Sequence, residues 1–562
     1  GVPSTGEQGT GRDIHDCRSG AMAVHSEHHP TLLGALHNAS AGTKTSCMTP
    51  AVGADRESVT EEAEATAINR TAFRGCMRTD DVKKHFTWKE NDELASSTFG
   101  RIFRGCRRER IEQRVAVKQI ARTAIDDVDR LCAEIGILSE LDHPNILRFL
   151  GSYQDRKNIY VVTELCAGGC LEGWLKTLRG HIVIAARIAR EVLGALAHCH
   201  AHGVCHRDLR PKNIFLVRNS VESPVRVADF GLAKRCSLRI SARRFHWAKS
   251  REEASTLRPK SSLSEVSSPL LSSPSEVGDS RSLRTGEHLH MVRLTSFKGT
   301  PEYMAPEVIR ILEDRMHPGK ALAKKIQQGV AGHAAAHYDF RCDVWSLGVV
   351  AWILISGVAP YTLEQVAAFV ADGAPLPELH AHLPNGKPMP AQSQDFVLQC
   401  LRTDFAKRPT SQALLGHPWL ASPRNEDDEA PSDSTPSSAE RLSSRLQGFA
   451  ALPRFKRAAL IAAVRHLGAY EYEELRTCFQ RMDVMNIGSV TAEALSRALA
   501  AAPSGAAAEV VRAMDSDGSG EIDFSEFMAA AMDHRIEDRA DLAMAAFRGF
   551  DLDGDGTISR AE

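Results

Sequence analysis

The stretch VCHRDLRPKNIFL, Val204 to Leu216, decides how the rest of the chain is read. It holds a carboxylate, Asp208, then a basic residue, Arg210, then an amide, Asn213; a second acid, Asp229, follows in VADFGLA (Val227 to Ala233). That order suits transfer of a phosphoryl group. One acid accepts the proton of an attacking hydroxyl, while the amide and the other acid hold magnesium against the phosphates. Working outward, RVAVKQI (Arg114 to Ile120) reads as a strand carrying Lys118, a cation placed for the α- and β-phosphates. CAEIGILSEL (Cys132 to Leu141) reads as an amphipathic helix whose Glu134 pairs with Lys118 and fixes its direction. Each part alone is a weak signal, but all of them in this order make a strong one.

Composition sets the bounds. A length of 562 residues suggests roughly three or four domains. With 69 basic and 71 acidic residues the charges nearly cancel, which argues against a nucleic-acid or membrane-surface binder. The 13 cysteines show neither metal nor disulfide spacing, so a reducing compartment and a cytoplasmic location are expected. The longest apolar run, SLGVVAWILISGVA (Ser346 to Ala359), is too short to span a bilayer and reads as a buried core helix. No secretory h-region is present. GVPST at the start fits the pattern for acylation of Gly1, which would tether the chain to a membrane; the competing reading is a fragment that carries the pattern by chance.

Along the chain, residues 1–80 are polar, aperiodic and expected to be disordered. A patterned α+β region runs over 86–420, with insertions at about 236–291 and 310–337. A Pro/Ser-rich linker covers 421–440. RLSSRLQGFAALPRFKRAALIAAVRHLG, over 441–468, reads as a basic amphipathic helix, and the remainder as an all-helical acidic module.

That module carries two loops with the oxygen spacing a calcium ion needs. In DSDGSGEIDFSE, side chains of Asp515, Asp517, Ser519, Asp523 and Glu526 and the carbonyl of Glu521 supply the ligands, and Gly520 permits the sharp turn. DLDGDGTISRAE repeats the pattern with Asp551, Asp553, Asp555, Thr557, Ser559 and Glu562. An upstream copy, DVMNIGSVTAEA (Asp483 to Ala494), has Met485, Ile487 and Ala494 at ligand positions. It should not bind calcium, and is expected to serve as a structural partner for its neighbour. The three hands are read as 470–505, 502–537 and 538–562. The last stops at its own twelfth ligand position, so a continuation into a fourth hand is expected.

These residues resemble the protein kinase family, and the order of modules resembles the calcium-dependent protein kinases. The likeness extends to GTPEYMAPE (Gly299 to Glu307) and CDVWSLGV (Cys342 to Val349). It implies a two-lobed α+β kinase fold followed by an all-α EF-hand module. ATP, Mg2+ and Ca2+ are the implied cofactors and protein hydroxyls the substrates. By the same likeness, Leu94, Gly100, Ile102 and Ala116 surround the nucleotide with Lys118, Thr163 is the gatekeeper, and Glu164 and Cys166 offer hinge backbone to adenine. Asp343 would brace the catalytic loop, Arg408 would pair with Glu307, and the 441–468 segment would be the autoinhibitory junction. Arg207 would face an activating phosphate at Ser296 or Thr295, and Ser268 and Ser273, each followed by proline, are candidate phosphorylation sites within the first insertion.

The chain departs from the family in three places. ELASSTFGRIF (Glu93 to Phe103) has Ala95 and Ser97 where the family has glycines that let backbone N–H groups approach phosphates; only Gly100 remains. Both replacements are small, so the loop is read as weakened and not abolished. Arg210 stands in place of the lysine that contacts the γ-phosphate, keeping the charge but changing its geometry. Cys170 and Lys212 replace glutamates that read an upstream arginine in the substrate, so weak selection for that arginine is expected. The alternatives are a calcium-responsive scaffold with little phosphotransfer, and a kinase governed by free calmodulin. HCHAHGVCH (His198 to His206) also admits a metal-cluster reading, against the plainer one of a helix entering the catalytic loop.

Overall fold

A computed structural model of the chain describes residues 81–97, 100–125, 128–235, 300–316, 338–380, 382–421, 436–464, 467–491, 493–495, 506–516, 519–532, 540–550 and 556–558. The expectations for residues 1–80, for Ser268, Ser273, Thr295 and Ser296, and for Asp517, Asp551, Asp553, Asp555, Ser559 and Glu562 lie outside these residues.

The first lobe is built on an antiparallel sheet in the order β1-β2-β3-β5-β4. Its strands are β1 (Phe86–Ser97), β2 (Gly100–Arg107), β3 (Arg114–Ala121), β4 (Phe149–Gln154) and β5 (Asn158–Glu164). Alternation places Val115 and Val117 of β3 in the core with Tyr153 and Val162, and leaves Ala116 and Lys118 on the opposite face. Helix α1 (Val128–Glu140) lays Leu131 and Ile135 on Ile120, Ile159 and Val161. Their four-residue spacing puts both side chains on one face.

The second lobe is helical. Helix α2 (Ile182–Ala201) is accompanied by five short strands in two sheets: β6 (Gly169–Cys170) and β9 (Val225–Val227) flank β8 (Ile214–Leu216), while β7 (Val204–Cys205) pairs with β10 (Lys234–Arg235). Helices α3 (Pro306–Met316), α4 (Arg341–Ser356), α5 (Leu363–Asp372) and α6 (Ala391–Cys400) follow. Helix α4 contains most of the apolar run singled out above, and it is buried on nearly every side, as an all-round hydrophobic helix must be. Gly348 lets it press on α6, where an added Cβ would fall 2.6 Å from that of Cys400.

The last module contains α7 (Pro436–Ala450), α8 (Arg454–Val464), α9 (Ala469–Met482), β11 (Ser489–Thr491), α10 (Ala506–Met514), β12 (Glu521–Asp523), α11 (Phe524–Ala531) and α12 (Ala540–Phe550). Strands β11 and β12 pair antiparallel, so the degenerate loop is joined to the Asp515 loop. Leu446, Phe449, Leu460, Val464 and Leu467 share one core with Leu475, Phe479, Phe524, Phe527 and Met528.

The structure differs from the sequence reading in three boundaries. Helix α3 runs through Met316 with Ile311 and Leu312 buried, so the second insertion starts after that helix and not at Arg310. Helix formation begins at Pro436, inside the segment read as linker; proline fits a first helical turn, where its missing N–H is not needed. The 441–468 segment is two helices and not one. Pro453 stands at the break because it cannot donate within a continuous helix.

Candidate active site and calcium loops

Asp208 lies at the centre of a small hydrogen-bonded set. The Asn213 side-chain amide donates to the Asp208 carbonyl at 2.8 Å and to its carboxylate at 2.9 Å. Thr300 donates its hydroxyl to the other carboxylate oxygen at 2.5 Å, and Arg210 Nε lies 3.6 Å from Asp208 Oδ2. The loop that carries Asp208 is fixed from below by Asp343 of α4, which is fully buried. Asp343 accepts the N–H of His206 at 2.9 Å and that of Arg207 at 2.8 Å, and contacts His200 at 2.9 Å. Burial alone would raise the Asp343 carboxyl, but these partners hold it below the usual carboxylate range. The same bonds keep Arg207 at φ 66°, a left-handed conformation unfavourable for a bulky residue, while its Nε donates to the Leu232 carbonyl at 2.7 Å.

Lys118 Nζ lies 3.4 Å from Glu134 Oε1, so the strand cation and the helix acid meet as their spacing suggested. A Cβ on Gly231 would stand about as far from Asp229 as from Glu134, at 3.1 and 3.2 Å, and Arg130 of α1 donates to the Gly231 carbonyl at 2.8 Å. Helix α1 is thereby fastened to the segment that presents Asp229, itself at φ 65°. Register sets Ile102 beside Lys118 and Ala116 beside Thr163. Leu94 sits on the exposed side of β1.

Strands β1 and β2 run to within two residues of each other, pairing Ser97 with Gly100. Gly100 has φ +134°, and a Cβ there would fall 2.3 Å from the Gln119 carbonyl oxygen of β3. The glycine that survives is thus the one the sheet itself requires. Ala95 pairs with Ile102 just past a register shift that lies between Glu93 and Ala95.

The histidines of HCHAHGVCH are each engaged without a metal. His200 contacts Ser411 and Asp343, His202 Nδ1 contacts the His198 carbonyl, and His206 contacts the Ala228 carbonyl and the Asp208 N–H. His198 Nε2 accepts the N–H of Asp142. Cys205, Cys342 and Asp343 also converge, with the sulfurs 3.5 Å apart, yet the Asp343 oxygens are occupied by the catalytic-loop bonds just described. Burial pushes both thiols above their ordinary range. At the cleft edge Lys212 pairs with Glu172 at 3.5 Å, both about half exposed. A surface pair of this kind is worth about 0–1 kcal/mol and leaves no unopposed acid to attract a cation.

In the Asp515 loop, the Asp515 carboxylate accepts the N–H groups of Ser519 and Gly520, each at 2.9 Å. Glu526, at the twelfth position, accepts those of Ser516 and Asp523 at 2.7 and 3.1 Å and is nearly buried. Two carboxylates facing one loop interior, with Ser519 and Glu521 between them, form a hard-oxygen donor set that fits calcium. In the upstream loop, Asp483 accepts the N–H groups of Ile487 and Gly488 at 3.0 and 2.7 Å, and burial raises its carboxyl to about 6.

Sequence reading gave Glu164 only a main-chain role and overlooked Arg148, Arg226 and Glu473. The Glu164 side chain is buried and accepts the Arg148 N–H at 2.8 Å and Arg226 Nε at 3.0 Å. Burial would raise Glu164, but the two arginines hold it below the ordinary carboxylate range. The overlooked signal was an arginine between the two valines of β9, since a charged side chain buried in a strand needs a partner.

A protein kinase domain model matches residues 88–249 and 277–420, and an EF hand model matches 510–531 and 544–562. Calcium-dependent protein kinase 5 of Plasmodium falciparum is 26% identical over 84% of this chain and 69% of its own length. Calcium-dependent protein kinase 34 of Arabidopsis thaliana is 28% identical over 86% of this chain and 77% of its own. Calcium-dependent protein kinase 11 of Oryza sativa subsp. japonica is 28% identical over 84% and 68%. No helix among the described residues is long and apolar enough to cross a membrane. With the Asp208 site, the Lys118–Glu134 pair and the paired loops in place, the chain belongs to the protein kinase domain family, carries EF hands, and has calcium-dependent protein kinases as relatives over most of its length.

Proposed function

We propose that the chain is a calcium-activated Ser/Thr protein kinase that moves the ATP γ-phosphate to protein hydroxyls. In this reading 86–420 is the catalytic domain, 441–468 the autoinhibitory junction, and the following hands the calcium sensor. The observation that carries it is Asp208, oriented by Asn213 and Thr300 in one lobe while Lys118 is aligned by Glu134 in the other.

Asp208 accepts the proton of the incoming hydroxyl as the oxygen attacks, and Arg210 beside it adds positive charge where negative charge accumulates. Lys118 orients the α- and β-phosphates, and the β5 end (Thr163, Glu164) with Cys166 receives the adenine. Asn213 and Asp229 would hold magnesium, which offsets phosphate charge when bound. Glu172 and Lys212 at the cleft edge satisfy each other, so a positional peptide library should show less than about a fivefold preference for an upstream arginine, under roughly 1 kcal/mol of discrimination. Strong arginine selection would remove this part of the reading.

The regulatory proposal rests on where the junction sits. Leu446, Phe449, Leu460 and Leu467 are fully buried in the EF-hand module, and each such burial contributes about 1.5–3 kcal/mol. That exceeds what the basic side chains of α8, with Arg454 exposed and Lys456 and Arg457 half-buried, would gain from surface ion pairs, about 0–1 kcal/mol each. We read this as the released arrangement. When the hands close at low calcium they withdraw the groove, and the junction then blocks the cleft. Asp515, Ser519, Glu521, Asp523 and Glu526 would hold one ion, with Asp517 and the Asp551–Glu562 set completing the two sites. Glu526→Gln combined with Glu562→Gln should abolish most calcium stimulation of peptide phosphorylation and leave calcium-free activity unchanged. An unaltered calcium response in the double variant would rule the switch out.

A further inference from the structure

The degenerate hand (470–505), with Met485, Ile487 and Ala494 at ligand positions, makes a different contact. Its loop keeps the hydrogen-bond pattern of the Asp515 loop: the first acid accepts the N–H groups of the fifth and sixth positions in both. Asp483 therefore holds the loop shape from within. The ligand position at Ile487 is apolar, and its side chain packs against the core of the kinase's helical lobe. Beside it, the Asn486 carbonyl lies 3.4 Å from His143 Nε2, and the Asn486 amide donates to the Arg190 carbonyl of α2 at 3.3 Å. The His143 tautomer is set by its Nδ1, which accepts the Asn145 N–H; Nε2 is thus the donor to Asn486. Burial pushes His143 down to about 3, so it stays neutral.

The fit depends on small residues. A Cβ on Gly194 of α2 would stand 2.0 Å from the Asn486 carbonyl oxygen, and one on Gly488 would stand 2.5 Å from the His143 ring. A second line of contact runs alongside. Arg226 bridges Glu164, at the end of hinge strand β5, to Glu473 of α9, at 3.0 and 2.8 Å. Arg476 holds Glu473 from the other side at 2.8 Å. Arg148 stacks on the Tyr472 ring at 3.9 Å, and its guanidinium reaches the Leu467 carbonyl together with Gln113. Arg226 is almost wholly buried, so removal of one carboxylate leaves its charge imperfectly matched and shifts the other.

We infer that the degenerate hand (470–505) is a docking element, seated by Asn486 and Ile487 on the kinase's helical lobe, and that Glu473 acts through Arg226 to position the Glu164 hinge for nucleotide. The docking half is independent of catalysis; the hinge half rests on the kinase reading above. Glu473 is a positioning residue, since it touches neither nucleotide nor substrate.

The test uses the full-length chain at saturating calcium. Gly194→Ala excludes Asn486 while favouring helix α2, where alanine outperforms glycine by roughly 0.5–1 kcal/mol. Glu473→Gln keeps the shape and removes the charge. Amide hydrogen exchange over residues 143–148 and ATP–Mg affinity by calorimetry are the readouts. Gly194→Ala should accelerate exchange over 143–148, and both variants should weaken ATP–Mg binding by about fivefold or more, the lower range of coupling between linked sites. Glu473→Asp should recover part of the loss. Unchanged exchange in Gly194→Ala overturns the docking, and unchanged ATP affinity in both variants overturns the link to the hinge. A wild-type chain that fails to bind ATP–Mg at all would instead defeat the kinase reading, with the exchange data still judging the docking.

Discussion

Asp208→Asn is expected to lower phosphate transfer from ATP to a protein substrate by about a hundredfold to ten-thousandfold, the usual contribution of a positioned general base. An amide of the same shape cannot take the proton of the attacking hydroxyl. Lys118, Glu134 and the hinge are distant from the change in the hydrogen-bond map, so ATP–Mg affinity should move by less than about threefold. Asn213 and Thr300 retain partners at the substituted side chain, and the loop stays braced by Asp343. The comparison also separates an enzyme from a calcium-responsive scaffold. If wild type and Asp208→Asn transfer phosphate at the same background rate with saturating calcium, the catalytic proposal is lost.

Glu307→Ala should be the most damaging change to the fold. Glu307 and Arg408 meet in a two-pronged pair, NH1 to Oε1 at 2.6 Å and NH2 to Oε2 at 3.0 Å, with the arginine side chain fully buried. Arg408 is also anchored by the carbonyls of Arg402 and Arg341 and lies over the Trp345 ring. It therefore cannot swing to solvent when its acid is removed. Breaking a buried pair from one side costs about 3–5 kcal/mol, a large part of the roughly 5–15 kcal/mol that stabilises a typical domain. Urea unfolding followed by a probe in the helical lobe should show that loss, with calcium binding by the EF-hand module unchanged. A loss below about 1 kcal/mol would mean the pair carries little of the lobe's stability.

Much of the candidate catalytic site was legible in the chain because its chemistry is local. Asp208, Arg210 and Asn213 lie on one loop, and their spacing alone restricts what they do. The candidate calcium loop at Asp515 was legible for the same reason: one contiguous segment supplies every proposed ligand. Lys118 and Glu134 were readable as a pair because strand and helix patterns put one polar side chain on each facing surface. The departure of the glycine loop from the family pattern was visible in the sequence, but the reason Gly100 persists lay elsewhere, in the approach of the Gln119 carbonyl from a neighbouring strand. The junction was read as one continuous helix because its apolar spacing carries across Pro453, where the backbone does not.

By itself the sequence determined the kinase fold and the presence of EF hands, and it marked the residues proposed for the active site and the calcium loops. Each is encoded in short segments whose residue types and intervals already limit their chemistry. Only the tertiary structure decided that α7 and α8 share a core with the EF-hand helices, that the degenerate hand packs on α2, and that Arg226 joins Glu473 to Glu164. The contacts of Asn486 with Arg190 and of Arg226 with Glu473 join residues 296 and 247 positions apart through shape and buried charge. No local pattern specifies them: a partner is chosen by which surfaces remain uncovered once each module has folded.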